Sequence, residues 1–257
     1  MINHNSNLIE AIPVFNNAGS GSIYGNSLLI NLYADDFTGS GSWPNRTGLG
    51  NITTVGSFTD SGSLGWGFSA GATLLLSQSV SMPVLSTSGF TCMFAATMGA
   101  SDFQKQTPLL QSLEGPYLPS QGYTGHATFY NMTGSAVNTL SQNGDQVAGT
   151  YNQMIPNFAI LPLLPNATST LYYYSVTYYP SSNTVFITED DRGYETFSPY
   201  PGNSFWFNLG KTKFGGNPGI AEFGTFVGSL QRMVFYNRPL SAAQIINNLL
   251  PALKRGA

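Results

Sequence analysis

Three acids, Glu189, Asp191 and Glu195, lie close enough in the chain to be weighed as a hydrolytic pair. Cleavage of a glycosidic bond needs two carboxyl groups flanking it, one as acid and one as nucleophile or base. Residues two apart on a strand point to one face and could supply them. Here the spacing is i, i+2 and i+6, with Asp190, Arg192 and Gly193 intervening. That pattern suits a solvated hairpin turn with an arginine beside its acids better than a cleft. A second arrangement, Gly67-Phe68-Ser69-Ala70-Gly71, has the G-x-S-x-G form of a nucleophile elbow, and Asp102 and His126 come later in hydrolase order. Such an elbow needs a buried parallel strand feeding a full helix. Beyond Gly71 there is only a brief Leu74-Leu75-Leu76 run, so the match is expected to be accidental and His126 to be a strand-edge residue. No catalytic residue is assigned, and the chain is expected not to be an enzyme.

Hard cations take several oxygen ligands. Asp35 with Asp36, and Asp190 with Asp191, could each contribute to a calcium site, but neither pair has the dense ligand spacing of a calcium loop. No cofactor or metal is therefore expected. Cys92, inside Phe90-Thr91-Cys92-Met93-Phe94, has no second thiol to pair with and reads as a small buried hydrophobe. Four Asn-x-Ser/Thr sequons, at Asn45, Asn51, Asn131 and Asn166, are what chance gives in a chain this rich in Asn, Ser and Thr. The aromatics Tyr117, Tyr123, Tyr151, Tyr194 and Trp206, with Tyr200 nearby, lie in or beside Gly/Pro/Ser-rich segments. Rings placed there can stack on sugars or anchor an interface, and these five are the candidate ligand or interface contacts. The stretch 114–165 is long and weakly patterned, and loops of that kind on a rigid scaffold are where binding usually resides.

The elements that would position these residues are strands. Expected strands run over 27–33, 68–76, 89–98, 107–113, 126–132, 158–161, 171–179, 183–189 and 204–209, separated by Gly, Pro and Asn-rich breaks. The clearest hairpin joins Leu171–Tyr179 to Thr184–Thr188 through Pro180-Ser181-Ser182-Asn183, with Tyr172, Tyr174, Val176 and Tyr178 on one face. In the last strand, Leu230, Arg232, Val234 and Tyr236 alternate with Gln231, Met233 and Phe235. Ser241 and Gln244 then form a capping box, Leu240 and Ile245 a hydrophobic staple, and Ile245, Ile246, Leu249 and Leu250 one apolar stripe. Pro251 is expected to end this helix after about two and a half turns. Many short strands, one terminal helix and no βα alternation point to a jelly roll of two packed antiparallel sheets.

Phe226-Val227-Gly228-Ser229-Leu230, and after it Val234-Phe235-Tyr236-Asn237-Arg238-Pro239-Leu240-Ser241-Ala242-Ala243-Gln244-Ile245, resembles the closing signature of laminin-G-like domains in the concanavalin A-like lectin/glucanase superfamily. Gln244 stands where Glu is usual and keeps the cap chemistry. Leu32-Tyr33-Ala34-Asp35 with Trp43 resembles the opening of such domains in phage proteins, and 173–192 their long central hairpin. The resemblance covers residues 26–253 and implies an all-β, concanavalin A-like sandwich at 26–257 behind an N-terminal arm, 1–25. By the same resemblance, the expected role is a non-enzymatic virion structural protein, in a capsid decoration, tail or fibre, with contact to host-surface glycans. A freestanding carbohydrate-binding lectin is the alternative, and a glycoside hydrolase a third.

Composition narrows the partners. Hydrophobic residues make up 42% and aromatics 13%, but charged residues only 8%, so the surface must be covered largely by Ser, Thr, Asn, Gln and Gly. Nine Lys plus Arg without clustering, and a net charge of −3, give no basic footprint for nucleic acid. No apolar run is long enough to insert in a membrane, and the N-terminus does not read as a signal peptide. Residues 16–22, Asn-Asn-Ala-Gly-Ser-Gly-Ser, are linker chemistry. Other virion proteins docked through this arm, further copies of the chain in a homo-oligomer, and cell-surface carbohydrate are the expected partners.

Overall fold

Tyr172, Tyr174, Val176 and Tyr178 share one buried face, as their period-two spacing predicts, and that face is the inner layer of a sandwich. A computed structural model of the chain describes residues 27–76, 89–97, 99–100, 106–112, 126–132, 137–147, 150–153, 170–182, 184–189, 192–196, 212–216 and 225–255. The expected arm, 1–25, and the expected strands at 158–161 and 204–209 lie outside them. The described strands form two eight-stranded antiparallel sheets and a two-stranded ribbon.

The first sheet comprises β1 (Leu28–Tyr33), β4 (Phe58–Asp60), β5 (Trp66–Phe68), β7 (Phe90–Ala96), β13 (Tyr172–Tyr179), β14 (Thr184–Glu189), β15 (Arg192–Thr196) and β18 (Ser229–Tyr236). Its order is β15-β14-β13-β7-β18-β5-β4, and β1 lies beside β5 along the same edge of β18. The second sheet comprises β2 (Ser42–Trp43), β3 (Ile52–Val55), β6 (Thr73–Leu75), β9 (Gln106–Ser112), β10 (His126–Met132), β11 (Val137–Val147), β12 (Thr150–Gln153) and β16 (Thr212–Gly215). Its order is β12-β11-β10-β9-β16-β6-β3-β2. The ribbon pairs β8 (Gly99–Ala100) with β17 (Phe226–Val227).

Aromatic rings join the layers. Phe94 of the first sheet meets Phe214 of the second edge to face at 5.1 Å, and Phe214 in turn meets Phe68 and Phe226 at 5.7 and 5.4 Å. All four are buried. Edge-to-face contacts of this kind add to the stabilisation that burial of such large apolar rings already provides.

Four local expectations are corrected. The single strand read over 68–76 is two strands in different sheets, because Ser69 to Ala72 turn between β5 and β6; the Ala72 amide donates to the Ser69 carbonyl at 2.9 Å. The loop read over 114–165 contains β11 and β12, whose polar residues carry little hydrophobic signal. In β18, Leu230 does not share a face with Arg232, Val234 and Tyr236. A bulge between Leu230 and Arg232 inserts one residue and reverses the alternation, so Leu230 enters the inter-sheet core. Val234 and Tyr236 line the outer face of the first sheet, Met233 and Phe235 the inner one.

The fourth concerns the helix. Ser241 caps it as expected: its hydroxyl accepts from the Gln244 amide at 3.2 Å, and the Gln244 side chain accepts from the Ser241 amide at 2.9 Å. Pro251 does not end it. Helix Ala242–Gln244 passes through a wide turn, Ile245–Leu249, whose closing bond runs from the Leu250 amide to the Ile245 carbonyl, and continues as Leu250–Arg255. An i→i−5 turn just before the proline relaxes the steric demand that an unbroken α-ladder would place on its ring. Ile245, Leu249, Leu250 and Leu253 are buried against Leu28, Met93, Tyr173, Val234 and Tyr236, so the helix covers the outer face of the first sheet. Replacing Ser241 with Ala is expected to cost about 1 kcal/mol. That would lower the thermal midpoint by roughly 2–4 °C, read by circular dichroism.

Candidate binding face

With the outer face of the first sheet occupied by the helix, the second sheet holds the other broad surface. Its register sorts residue types cleanly. Leu74 pairs with Phe214, Phe214 with Leu110, Leu110 with Phe129 and Phe129 with Leu140, an unbroken apolar row. Leu74, Phe214 and Leu110 are fully buried in the inter-sheet core, which sets this row as the inward one. One residue along each strand, Ser42 pairs with Thr53, Thr53 with Leu75, Leu75 with Lys213, Lys213 with Gln111, Gln111 with Thr128 and Thr128 with Ser141. Because successive residues alternate between faces, this second row holds the outward positions. It crosses seven strands and, Leu75 aside, is hydroxyl, amide or ammonium. Ser42 is exposed, and Thr53, Leu75 and Lys213 are partly exposed.

The same outward parity continues on β10 and β11, where His126 pairs with Asn143 and Tyr130 with Thr139. Gln153 of β12 continues the row through Asn143. His126 opens β10 at the register position opposite Asn143. Partial burial lowers the Lys213 ammonium below the usual lysine range.

A second polar cluster lies at the junction of β1, β18 and the helix. Trp43 donates through Nε1 to the Tyr33 carbonyl at 2.8 Å, and Trp66 through Nε1 to the Ala34 carbonyl at 2.9 Å. The guanidinium of Arg46 lies 3.6 Å from the Tyr33 ring centroid, and that of Arg232 lies 4.0 Å from it. Arg46 also grips Asp36 with two bonds, Nε to Oδ2 at 2.6 Å and Nη2 to Oδ1 at 3.0 Å. That hydrogen bond holds the Arg46 guanidinium above the usual arginine range, whereas burial pulls Arg232 below it. Burial also raises the Tyr33 phenol. Arg232 is 3% exposed and donates to the Ala252 and Leu253 carbonyls, each at 3.4 Å, and to the Tyr33 hydroxyl. This cluster ties the helix to the sheet, with Asp36 paired to Arg46.

The residues singled out by spacing fall apart in the fold. Glu189 pairs with Arg192, closing a two-residue connection, while Glu195 pairs with Phe186. Glu189 and Glu195 therefore hold register positions of opposite parity, which assigns them to opposite faces of the sheet; Asp190 and Asp191 lie outside the described residues. Ser69 is exposed in a turn, its hydroxyl donating to the Ser57 carbonyl at 2.7 Å, with no helix after it; Asp102 lies outside the described residues. Among the described residues no three His, Cys, Asp or Glu side chains cluster as metal ligands. Asn45 is buried, its Nδ2 donating to the Leu29 carbonyl at 3.1 Å and its Oδ1 accepting from the Asn31 amide at 2.9 Å, so this sequon is built into the core. Burial pushes the Cys92 thiol well up, as expected of a core residue.

Of the aromatic candidates, Tyr117, Tyr123 and Trp206 lie outside the described residues. Tyr151 sits on β12, opposite Gln146, at the edge of the second sheet, and Tyr194 on β15, opposite Ile187, at the edge of the first. The outward polar row could not be found from spacing. Its members come from strands scattered between 42 and 213, and no local pattern connects them.

No protein-family model and no curated protein matches the chain by sequence. Solved structures do match in fold. Sialidase of Trypanosoma rangeli, in complex with sialic acid, aligns over 91% of this chain and 34% of its own, with a TM-score of 0.58 and 14% identity. Botulinum neurotoxin type C, whose cell entry depends on interaction with two ganglioside molecules, aligns over 90% of this chain and 52% of its own, at 0.53 and 10%. The receptor-binding domain of a botulinum neurotoxin C/D mosaic aligns over 88% and 51%, at 0.53 and 9%. The chain thus spans about a third of the sialidase and half of the toxin chains. At such identities the likeness is one of architecture: the described residues form an all-β sandwich of two antiparallel sheets with a short helix at their C-terminal end.

Proposed function

We propose that this chain is a non-enzymatic glycan-binding module and that the outward face of its second sheet is the binding surface. The observation that carries this reading is the cross-strand row Ser42, Thr53, Leu75, Lys213, Gln111, Thr128 and Ser141, polar but for Leu75 and neighboured by a row that is apolar from Leu74 to Leu140. Sugars present hydroxyls that both donate and accept, and side chains with the same versatility match them. The sandwiches it resembles in fold include proteins that meet sialic acid and gangliosides. Opposite register parity of Glu189 and Glu195 favours binding over hydrolysis.

The setting is proposed from the sequence: the motifs around Trp43 and Tyr236–Ile245 resemble phage modules, so the module would serve on a virion and bring it to host-surface carbohydrate. The segment 1–25 would dock it on neighbouring virion proteins or on further copies of the chain. A glycan array tests the binding reading. Retained glycans on the array, unchanged by a chelator and with no saccharide released, are the expected result. An array that is blank throughout, or a hydrolysed saccharide, overturns it.

A further inference from the structure

β1 runs along β18 on one side, and among the described residues no strand pairs with its other side. Its sequence, Leu-Leu-Ile-Asn-Leu-Tyr, holds no charged residue and no proline, which commonly blunt an edge strand against pairing with another chain. Protection comes instead from residues 43–47, mostly through side chains. Trp43 donates through Nε1 to the Tyr33 carbonyl at 2.8 Å, and the Arg46 amide donates to the Asn31 carbonyl at 3.0 Å. Asn45 bonds in both directions: its Oδ1 accepts from the Asn31 amide at 2.9 Å, and its Nδ2 donates to the Leu29 carbonyl at 3.1 Å. The Thr47 hydroxyl donates to that same carbonyl, also at 3.1 Å. Backbone groups that a neighbouring strand would bond are thus taken by a loop. We propose that residues 43–47 are a strap holding a docking edge shut, and that β1, once the strap is lifted, pairs with β1 of a second copy of this chain.

The partner follows from what β1 presents. Leu28, Leu29, Ile30 and Leu32 are apolar and buried, and a short uncharged segment of this kind without proline is the composition that pairs readily with itself. A second β1 meets it antiparallel across a two-fold axis, offering acceptors to the Asn31 amide and donors to the Leu29 and Asn31 carbonyls. Because the same strand then faces itself, both edges are consumed and the pair closes at two copies. In the native chain the strap is fastened firmly. Trp43, Asn45 and Thr47 are buried, and Arg46 grips Asp36 at 2.6 and 3.0 Å, so the edge stays covered.

The full chain carrying Asn45→Ala and Thr47→Val loses the three side-chain bonds to Leu29 and Asn31, while Trp43 keeps its place in the core. Light scattering should then find a species of twice the wild-type mass, its fraction rising with concentration, which wild type at the same concentrations does not form. Amide hydrogen exchange over 28–33 should be faster than in wild type at low concentration and slow again as the doubled species accumulates. Should the double variant not fold, Asn45→Ala alone, which leaves the Thr47 hydroxyl on the Leu29 carbonyl, is read in the same way with a smaller doubled fraction expected. A variant with the wild-type circular dichroism spectrum that keeps the wild-type mass at every concentration overturns the proposal. So does growth past the doubled mass, since a β1 pair closes, and so does a doubled species in which 28–33 still exchange fast.

Discussion

Trp43→Ala is expected to lower the stability of this protein by about 3–5 kcal/mol, the range for deleting a fully buried large aromatic. The indole is completely buried and stacks on Phe37 at 4.6 Å with the rings 5° from parallel. Phe37 in turn meets Phe58 and Trp66 edge to face at 5.4 and 5.2 Å. Removing Trp43 therefore strips one wall from an aromatic group that joins the two sheets. It also leaves the Tyr33 carbonyl without the Nε1 donor at 2.8 Å. At roughly 2–4 °C per kcal/mol for a chain of this size, the thermal midpoint should fall by about 6–20 °C. Trp43→Phe separates the two contributions: it keeps a stacked ring and loses the donor, at an expected cost of about 1–3 kcal/mol. A midpoint within a degree of wild type for Trp43→Ala would show that the aromatic group does not hold this corner of the sandwich.

Arg232→Ala carries the second large effect, and it is local. Arg232 is 3% exposed in the strand beneath the C-terminal helix. It donates to the carbonyls of Ala252 and Leu253, and its guanidinium lies 4.0 Å from the Tyr33 ring centroid. A hydrogen bond from a charged group contributes about 1.5–3 kcal/mol, and an acceptor left buried without its donor costs a similar amount. The substitution should lower global stability by about 2–4 kcal/mol and loosen the helix before the sheets. Amide hydrogen exchange over 242–255 should therefore accelerate more than over β7 or β13. Arg232→Met, which keeps most of the stem, tests charge against packing: exchange in the helix should still accelerate if the carbonyl bonds matter, and should stay near wild type if the aliphatic stem alone holds it. Uniform acceleration across the chain would show that Arg232 is a general core residue instead of a tie between helix and sheet.

Short-range chemistry was legible in the chain itself. The capping box of Ser241 and Gln244, the staple of Leu240 and Ile245, and the hairpin with Tyr172, Tyr174, Val176 and Tyr178 on one face all formed where period and residue type put them. Each depends on residues a few positions apart, so local geometry decides it. The opening and closing motifs were legible in the same way, but the bonds that join Trp43 to Tyr33 and Trp66 to Ala34 were not. Nor were the bulge after Leu230 or the wide turn that lets the helix run past Pro251, since both answer to what the backbone packs against.

The sequence by itself determined the class of this protein: short alternating strands, turn residues between them and one capped helix admit little besides a two-sheet sandwich. Tertiary structure alone decided which distant residues stand side by side. Glu189 and Glu195, near in the chain, hold opposite faces, whereas Thr53, Lys213, Gln111 and Ser141, far apart in it, stand in one row. The reason is that a side chain's face is set by its own strand's period, but its neighbours across the sheet depend on pairing order and register, which are set by the packing of the whole core.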